Sequence, residues 1–145
     1  DFAYVVPDFR LNKQFEKLNS LSEVYKQKVE FLCNECCWYG CKDRRECYKT
    51  VSKQNLDIDC TDHICKAPYS NEGYRFSRVM ESLAFISLDD ILNIYVPMGY
   101  SNFKIEGRDL GNALLLEFIL YYMVKPQYQI HVREAMYLDA MLDLF

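Results

Sequence analysis

The sequence predicts an α/β fold of parallel strands, in the form of half a TIM-type barrel with a cysteine-rich loop insertion. Short runs of β-branched and aromatic residues recur at positions 4–6, 28–33, 84–87 and 102–107. Helical patterns separate these runs, and strands that alternate with helices pair in parallel. Because an eight-stranded barrel takes about 250 residues, four strand–helix units in 145 residues correspond to half of one.

Composition fits one folded domain. Half of the residues are hydrophobic and 26% are charged, which is typical of a chain with a packed core. The net charge of −4 gives no overall attraction to nucleic acid or to an anionic membrane. We therefore treat residues 1–145 as a single domain, with a cysteine-rich segment at 33–65 and a C-terminal strand plus two helices at 102–145.

The N-terminal elements follow from local patterns. Residues 4–6 form a strand-like run that Pro7 closes, and a short helix is expected at 14–18. Residues 28–33 alternate in the manner of a strand. This alternation places three apolar residues on one face: Val29, Phe31 and Cys33.

The middle of the chain is less regular. Residues 41–54 can form a helix, whereas residues 55–71 show no periodicity and predict a long loop. A loop of that length is uncommon unless something ties it down. A bound metal would hold the loop in place.

Regular elements return in the C-terminal half. A helix is expected at 74–82 and a strand at 84–87. Ser87 is a good N-cap for a helix over 88–95, whose first turn contains acidic residues.

The last elements have sharper boundaries. Residues 102–107 alternate strictly, which predicts a strand. Asp109 then caps an apolar helix at 110–124, and Pro126 opens a final helix that ends near residue 142.

Neither a signal peptide nor a membrane span is predicted. The first residues lack a basic segment, an apolar segment and a Met, so the chain reads as a processed product or a fragment. The apolar run at 113–124 is shorter than the roughly 20 residues that a span needs. We expect a cytoplasmic protein without membrane partners.

All seven cysteines lie within residues 33–65. Such clustering is compatible with a disulfide framework, with buried structural thiols, or with a metal or iron–sulfur site. In a reducing compartment, clustered cysteines favour metal binding over disulfides.

Two segments together resemble the collagenase-like peptidase family, family U thirty-two. Residues 28–47 read KVEFLCNECCWYGCKDRREC, similar to that family's strand followed by Asn-Glu, a cysteine, three residues and another cysteine. Residues 98–108, MGYSNFKIEGR, are similar to a Phe-Lys-Ile-Glu-Gly-Arg strand near the end of its barrel. Residues 8–12 resemble an Asp-x-x-Leu-Asn turn.

The resemblance implies a barrel with an iron–sulfur cluster at its strand ends. Relatives include proteases and oxygen-inserting enzymes that act on transfer RNA, ribosomal RNA and quinone precursors. This chain matches only the second half of the barrel, so a second chain or an N-terminal half is expected to complete it. It also departs from the pattern at Cys47, where some relatives carry His, and in the extra pair Cys33 and Cys36.

The expected cofactor is an iron–sulfur cluster with four irons, and zinc is the alternative. Such a cluster usually takes four thiolates, which nearby cations such as Lys42, Arg44 and Arg45 would favour. For zinc, His63 could contribute. The predicted ligands are Cys37, Cys41 and Cys47 with one or both of Cys60 and Cys65.

Three residues are candidate catalytic groups: Glu35, Glu106 and Arg108. Glu106 and Arg108 share a strand face with Lys104, which in a barrel would face the lumen; a solvated charged face is the alternative. Glu35 follows a strand and could act as an acid or base or bind a substrate amine; the alternative is a hydrogen bond to the cysteine-loop backbone.

Two hypotheses follow. In the first, the chain is a cluster-bearing member or fragment of a collagenase-like peptidase or hydroxylase family that modifies a peptide or RNA. In the second, zinc or a cluster only staples an interaction domain. The sequence contains no nucleic-acid-binding motif.

Overall fold

The computed structural model describes residues 2–35, 37–61, 64–68, 70–73, 75–107 and 110–141. Two strands, β1 (Glu30–Leu32) and β2 (Asn102–Lys104), pair in parallel. Val5 adds one parallel bridge to Val29. The N–H of Glu30 points to Val5 and that of Cys33 points to Lys104, and alternate N–H groups of a strand point to opposite edges. The β1 strand therefore has a neighbour on each edge.

The four predicted strands are present to different extents. The first is reduced to the Val5 bridge, and residues 84–87 do not form a strand, although the N–H of Ile86 donates to the carbonyl of Cys33 at 3.0 Å. The described residues thus combine helices with a small parallel sheet, which is compatible with the α/β class. The half barrel stays a prediction.

The described residues contain seven α-helices. Short 3₁₀ turns occur at Phe9–Leu11, Ser70–Glu72 and Pro126–Tyr128, and a π-helical turn, Ile91–Tyr95, continues α5. The α-helices are α1 (Phe15–Asn19), α2 (Glu23–Lys26), α3 (Arg44–Gln54), α4 (Phe76–Met80), α5 (Leu88–Asp90), α6 (Gly111–Met123) and α7 (Gln129–Met141).

The core forms around β1 and α6. The predicted inward face of β1 is confirmed, since Val29, Phe31 and Cys33 are all buried. A second cluster packs Phe118 of α6 against Val79 and Phe85. The remaining buried members of the β1 cluster are Leu18, Ile86, Tyr95 and Tyr100.

Tyrosine hydroxyls tie the loops to this core. Tyr95 donates to the carbonyl of Asn12, and Tyr100 donates to the carbonyl of Leu18 at 2.7 Å. Each buried ring therefore contributes apolar area and also satisfies a backbone acceptor that water cannot reach.

The helix predicted at 41–54 begins three residues later. Residues 38–41 form a turn instead, in which the N–H of Cys41 donates to the carbonyl of Trp38 at 2.9 Å. No residue of α3, which is described throughout, is buried. The helix therefore lies on the surface and presents its first turn to the cysteine loop.

The apolar helix α6 ends near its predicted boundary. Its C-cap is Val124, and the following Pro126 begins a 3₁₀ turn rather than the last helix itself. No helix among the described residues is both long and apolar enough to cross a membrane.

Candidate metal centre

Asn34 fixes the end of the sheet that carries the cysteines. Its buried side chain donates to the carbonyl of Glu106 at 3.0 Å and accepts from the N–H of Glu106 at 2.6 Å. This two-way contact continues the pairing of β1 and β2 beyond their last residues. The residues that follow β1 and those that follow β2 therefore lie at the same end of the sheet, the carboxyl end of both strands.

Glu35 is the next residue, and its side chain is only 1% exposed. One carboxylate oxygen accepts the backbone N–H of Cys37 at 3.0 Å, and the other accepts Nη2 of Arg44 at 2.6 Å. The hydrogen bond predicted between Glu35 and the cysteine-loop backbone is present. The carboxylate holds the loop against the first turn of α3.

Arg44 is enclosed by aromatic rings. Its guanidinium carbon lies 4.7 Å from the ring centroid of Phe9 and 4.7 Å from that of Tyr48. Nη2 also donates to the Tyr48 hydroxyl at 3.0 Å. Two cation–π contacts and an ion pair leave this side chain little freedom.

The turn at residues 8–12 holds the cysteine loop from the other side. Arg10 pairs with both carboxylate oxygens of Asp8 and donates to the carbonyl of Cys41 at 3.3 Å. The hydrogen bond from Arg10 lowers the pKa of Asp8 to about 2. The hydroxyl of Tyr39, in the cysteine loop, donates a second hydrogen bond between the two segments, to the carbonyl of Arg10 at 3.2 Å.

Gly40 lies under the ring of Trp38, which is half exposed. A Cβ at this position would stand 2.7 Å from the ring. Glycine thus leaves room for the Trp38 ring over the backbone between Cys37 and Cys41.

Four cysteines line one cavity of about 960 Å³. Two come from the loop after β1, one from α3, and one from the loop that precedes α4. Cys60 is described too but lies outside this cavity, with its sulfur 3.8 Å from the carbonyl of Thr50. The four that line the cavity are Cys37, Cys41, Cys47 and Cys65.

These cysteines are free thiols, as are Cys33 and Cys60. Burial and the neighbouring Cys41 raise the pKa of Cys37 to about 11, while Arg44 acts in the opposite direction. Burial, Cys65 and Cys41 raise the pKa of Cys47. Metal binding at this cavity would therefore release protons.

The thiols share a cavity without forming a closed ligand shell. Among the described residues, no group of three or more Cys, His, Asp or Glu side chains is arranged to hold a metal ion. The residue type is that of a thiolate-bound centre, since four cysteines from three segments line this cavity. The loops around them would have to close further on any bound metal.

Cations surround the same cavity. Lys66, next to Cys65, pairs with Asp43 at 2.8 Å and so ties the later loop to the start of α3. The other basic residues of the lining are Lys42, Arg44, Arg75 and Arg78. Basic side chains near thiols favour their ionised form and offset the negative charge of a thiolate-bound cluster.

A second cavity of about 670 Å³ adjoins the first. Tyr39, Ser82 and Leu83 belong to the lining of both. The second cavity also contains the ion pair of Lys13 and Asp90. A molecule bound there would lie next to the cysteine cavity.

The remaining predicted residues lie elsewhere or outside the described residues. Cys33 is buried in the β1 cluster, as expected for a core residue, and burial raises its pKa to about 12. Glu106 lies at the same sheet edge but does not line the cysteine cavity, and Lys104 is half exposed near Glu30. Three further residues fall outside the described residues: Cys36, His63 and Arg108.

Sequence reasoning missed the enclosure of Arg44. In the sequence Arg44 is one of three nearby cations, but of these three Arg44 is the one with cation–π contacts and an ion pair to Glu35. A signal was present, because Arg44 and Tyr48 are four residues apart in a helix, the spacing at which side chains meet. Nothing local in the sequence indicated Phe9, which lies far away along the chain.

No protein-family model matches the chain. Comparisons with curated proteins and with solved structures also gave no significant match. The likeness to the collagenase-like family stays a prediction from the two quoted segments.

Proposed function

We propose that Cys37, Cys41, Cys47 and Cys65 hold an iron–sulfur cluster. The observation that carries the proposal is that these four thiols, from three separate segments, line one cavity. Four thiolates are the usual ligand set of a cluster. Basic residues on the same wall supply the compensating charge.

The chain's own residues shape this centre. Glu35 anchors the backbone of Cys37, and Arg10 anchors that of Cys41. A bound cluster would supply electron transfer, which these side chains do not provide by themselves. Glu35, Arg10 and Arg44 then act by positioning the ligands.

On this basis we propose an enzyme role, as a cluster-bearing member of a collagenase-like peptidase or hydroxylase family. Its substrate would be a peptide or an RNA, bound in the second cavity beside the cluster. Glu106 and Arg108 follow β2, the strand that pairs with β1. They are the proposed substrate-positioning residues.

A partner that completes the barrel is part of the proposal. The segment at residues 4–6 supports it, because Tyr4, Val5 and Val6 are each about half exposed. Val5 forms a single bridge, to the residue just before β1. An exposed apolar strand edge is an energetic liability unless another strand covers it. A second chain or an N-terminal half of the protein would do so.

The second candidate is an interaction domain stapled by zinc. Four cysteines are a complete ligand set for structural zinc, so the same cavity also supports the interaction domain. The two candidates differ in the metal and in whether the second cavity is used.

Metal analysis of protein purified without oxygen separates them. The proposed cluster predicts a brown protein that absorbs near 400 nm, with about four irons and four sulfides per chain. A colourless protein with one zinc per chain would support the interaction domain. Protein that takes up neither metal on reconstitution would contradict both candidates.

A further inference from the structure

The second cavity, of about 670 Å³, combines an apolar wall with one polar corner. Phe85 in this wall is buried, whereas Met80 and Leu83 are 41% and 70% exposed. The ring of Tyr121 extends the wall, with its centroid 5.9 Å from that of Phe85. A cavity of this size with a mostly apolar lining and a few polar groups is typical of a site for a small ligand or a single side chain.

Lys13 and Asp90 form the polar corner, and their ion pair leaves hydrogen-bonding capacity unused. Oδ2 of Asp90 accepts from Lys13 and from both the backbone N–H and the hydroxyl of Ser87. Oδ1 accepts no hydrogen bond from the part of the chain that the structure describes. Because an ammonium group has three N–H donors, Lys13 also keeps donors for a further acceptor.

The charge of this corner distinguishes between the two proposed substrate classes, peptide and RNA. Among the described residues of the lining, Lys13 is the one cation, and Asp90 offsets its charge. An RNA is held mainly through several basic side chains that contact its phosphates. A carboxylate next to an N–H group fits the pair better, because the carboxylate accepts from Lys13 while the N–H donates to Asp90.

We propose that the second cavity binds the carboxyl-terminal residue of a peptide that ends in a large apolar side chain. The terminal carboxylate accepts from Lys13, and the amide N–H of the same residue donates to Oδ1 of Asp90. The apolar side chain packs on Met80, Leu83 and Phe85. This inference rests on the part of the proposed function that places the substrate in this cavity, and it names the class of that substrate.

The start of α5 holds the polar corner in position. Asp90 and Ser87 close the capping box of this helix through Oδ2, so the direction of Oδ1 is set by the helix rather than by the ligand. Lys13 is in turn held by the same carboxylate. Side chains that are already fixed lose less freedom when a ligand binds, which favours affinity.

The test is isothermal titration calorimetry of the full chain with the tripeptide Ala-Ala-Phe, its carboxyl-terminal amide, and Ala-Ala-Ala. We expect Ala-Ala-Phe to bind at least about tenfold more tightly than either of the others. The amide removes the anionic acceptor for Lys13, and the alanine peptide removes the apolar contact. Equal affinities for the acid and the amide would overturn the inference.

Variants of the lining locate the site. Leu83→Ser changes an exposed side chain and so leaves the fold intact, and Leu92→Ser makes the same change at an exposed position outside the lining. Lys17→Gln, also exposed and outside the lining, is the control for Lys13→Gln. We expect about tenfold weaker binding of Ala-Ala-Phe in Lys13→Gln, a smaller loss in Leu83→Ser, and the wild-type affinity in both controls.

Unchanged affinity in both Lys13→Gln and Leu83→Ser would overturn the inference. Binding of an oligouridine that Lys13→Gln weakens, without binding of Ala-Ala-Phe, would overturn it in favour of RNA. The titration requires no bound metal, so it tests the peptide site separately from the cluster. A chain that binds Ala-Ala-Phe but takes up no iron would overturn the proposed cluster and leave this inference standing.

Discussion

Asn34 replaces a backbone pairing with its side chain. Beyond the last residues of β1 and β2, its amide donates to and accepts from the backbone of Glu106. A side chain can do this only when its donor and acceptor match a peptide group, as those of asparagine do. The contact sets where the cysteine loop leaves the sheet.

Replacing Asn34 by Asp should therefore destabilise the protein. Aspartate has nearly the same shape but cannot donate to the Glu106 carbonyl when ionised, and it places a buried charge there. We expect a loss of roughly 1 to 3 kcal/mol in the free energy of unfolding, measured by urea denaturation. Asn93→Asp is the control, because Asn93 is exposed; equal losses in both variants would contradict the assigned role of Asn34.

The sequence located the cysteines but did not distinguish between Cys60 and Cys65. Both lie in a stretch without periodicity, so spacing alone could not say which of them faces the other thiols. The difference arises from the tertiary structure, which places Cys65 but not Cys60 in the lining of the cavity, with Lys66 paired to Asp43 beside it. Local sequence does not encode such a pairing.

Among the elements, α5 shows how a helix start is fixed. Ser87 accepts the N–H of Asp90 at 3.0 Å, and Asp90 accepts the N–H of Ser87 at 2.8 Å, which completes a capping box. Lys13 pairs with the same carboxylate. Burial disfavours the ionised form of Asp90, but the hydrogen bonds from Lys13 and Ser87 outweigh it, so its pKa is lowered.

This lowered pKa gives a pH dependence with a definite sign. Stability from ionised Asp90 is fully present above its ordinary pKa of 3.8 and is lost as the pH falls through the lower pKa of the folded state. Asp90→Asn should cost roughly 1 kcal/mol at neutral pH, and the difference from wild type should vanish in acid.

Urea denaturation of both proteins as a function of pH measures this difference. Asp89→Asn makes the same charge change one residue earlier, at an exposed position, and should have a smaller effect. A difference between wild type and Asp90→Asn that stays constant from neutral to acidic pH would rule out the ionised pair as its cause.

Elements with strong local signals were predicted well, and those that depend on distant partners were not. The helix after Ser87 has its cap in the sequence, and α6 has a long apolar run. Residues 84–87 have the composition of a strand and are largely buried. Their one backbone hydrogen bond toward the sheet runs from the N–H of Ile86 to the carbonyl of Cys33, just after β1. Burial was predictable from the residues, whereas ladder pairing depends on where the neighbouring strands end.

At the scale of the molecule, a parallel pair of strands sets the arrangement of the site. Because β1 and β2 run in the same direction, the loops that follow them leave the sheet at the same end, the carboxyl end of the strands. The cysteine loop packs there against α3 and the turn at residues 8–12. The parallel pairing follows from the order of elements in the sequence, but the number of strands that pair does not.

The central claim is that four particular thiols bind one centre. Its most direct test is the iron content of single Cys→Ser variants that have been reconstituted without oxygen. The four substitutions that remove a proposed ligand should each lose most of the bound iron. Cys60→Ser should keep the wild-type content, because this thiol lies outside the cavity. The four ligand variants are C37S, C41S, C47S and C65S.

Cys60→Ser and Cys65→Ser form the decisive pair in this measurement. The two cysteines are five positions apart in the same loop, so the two variants differ little except in which sulfur is removed. We predict full iron in Cys60→Ser and little iron in Cys65→Ser. Equal iron in the two variants, or loss confined to Cys60→Ser, would contradict the proposed set of ligands.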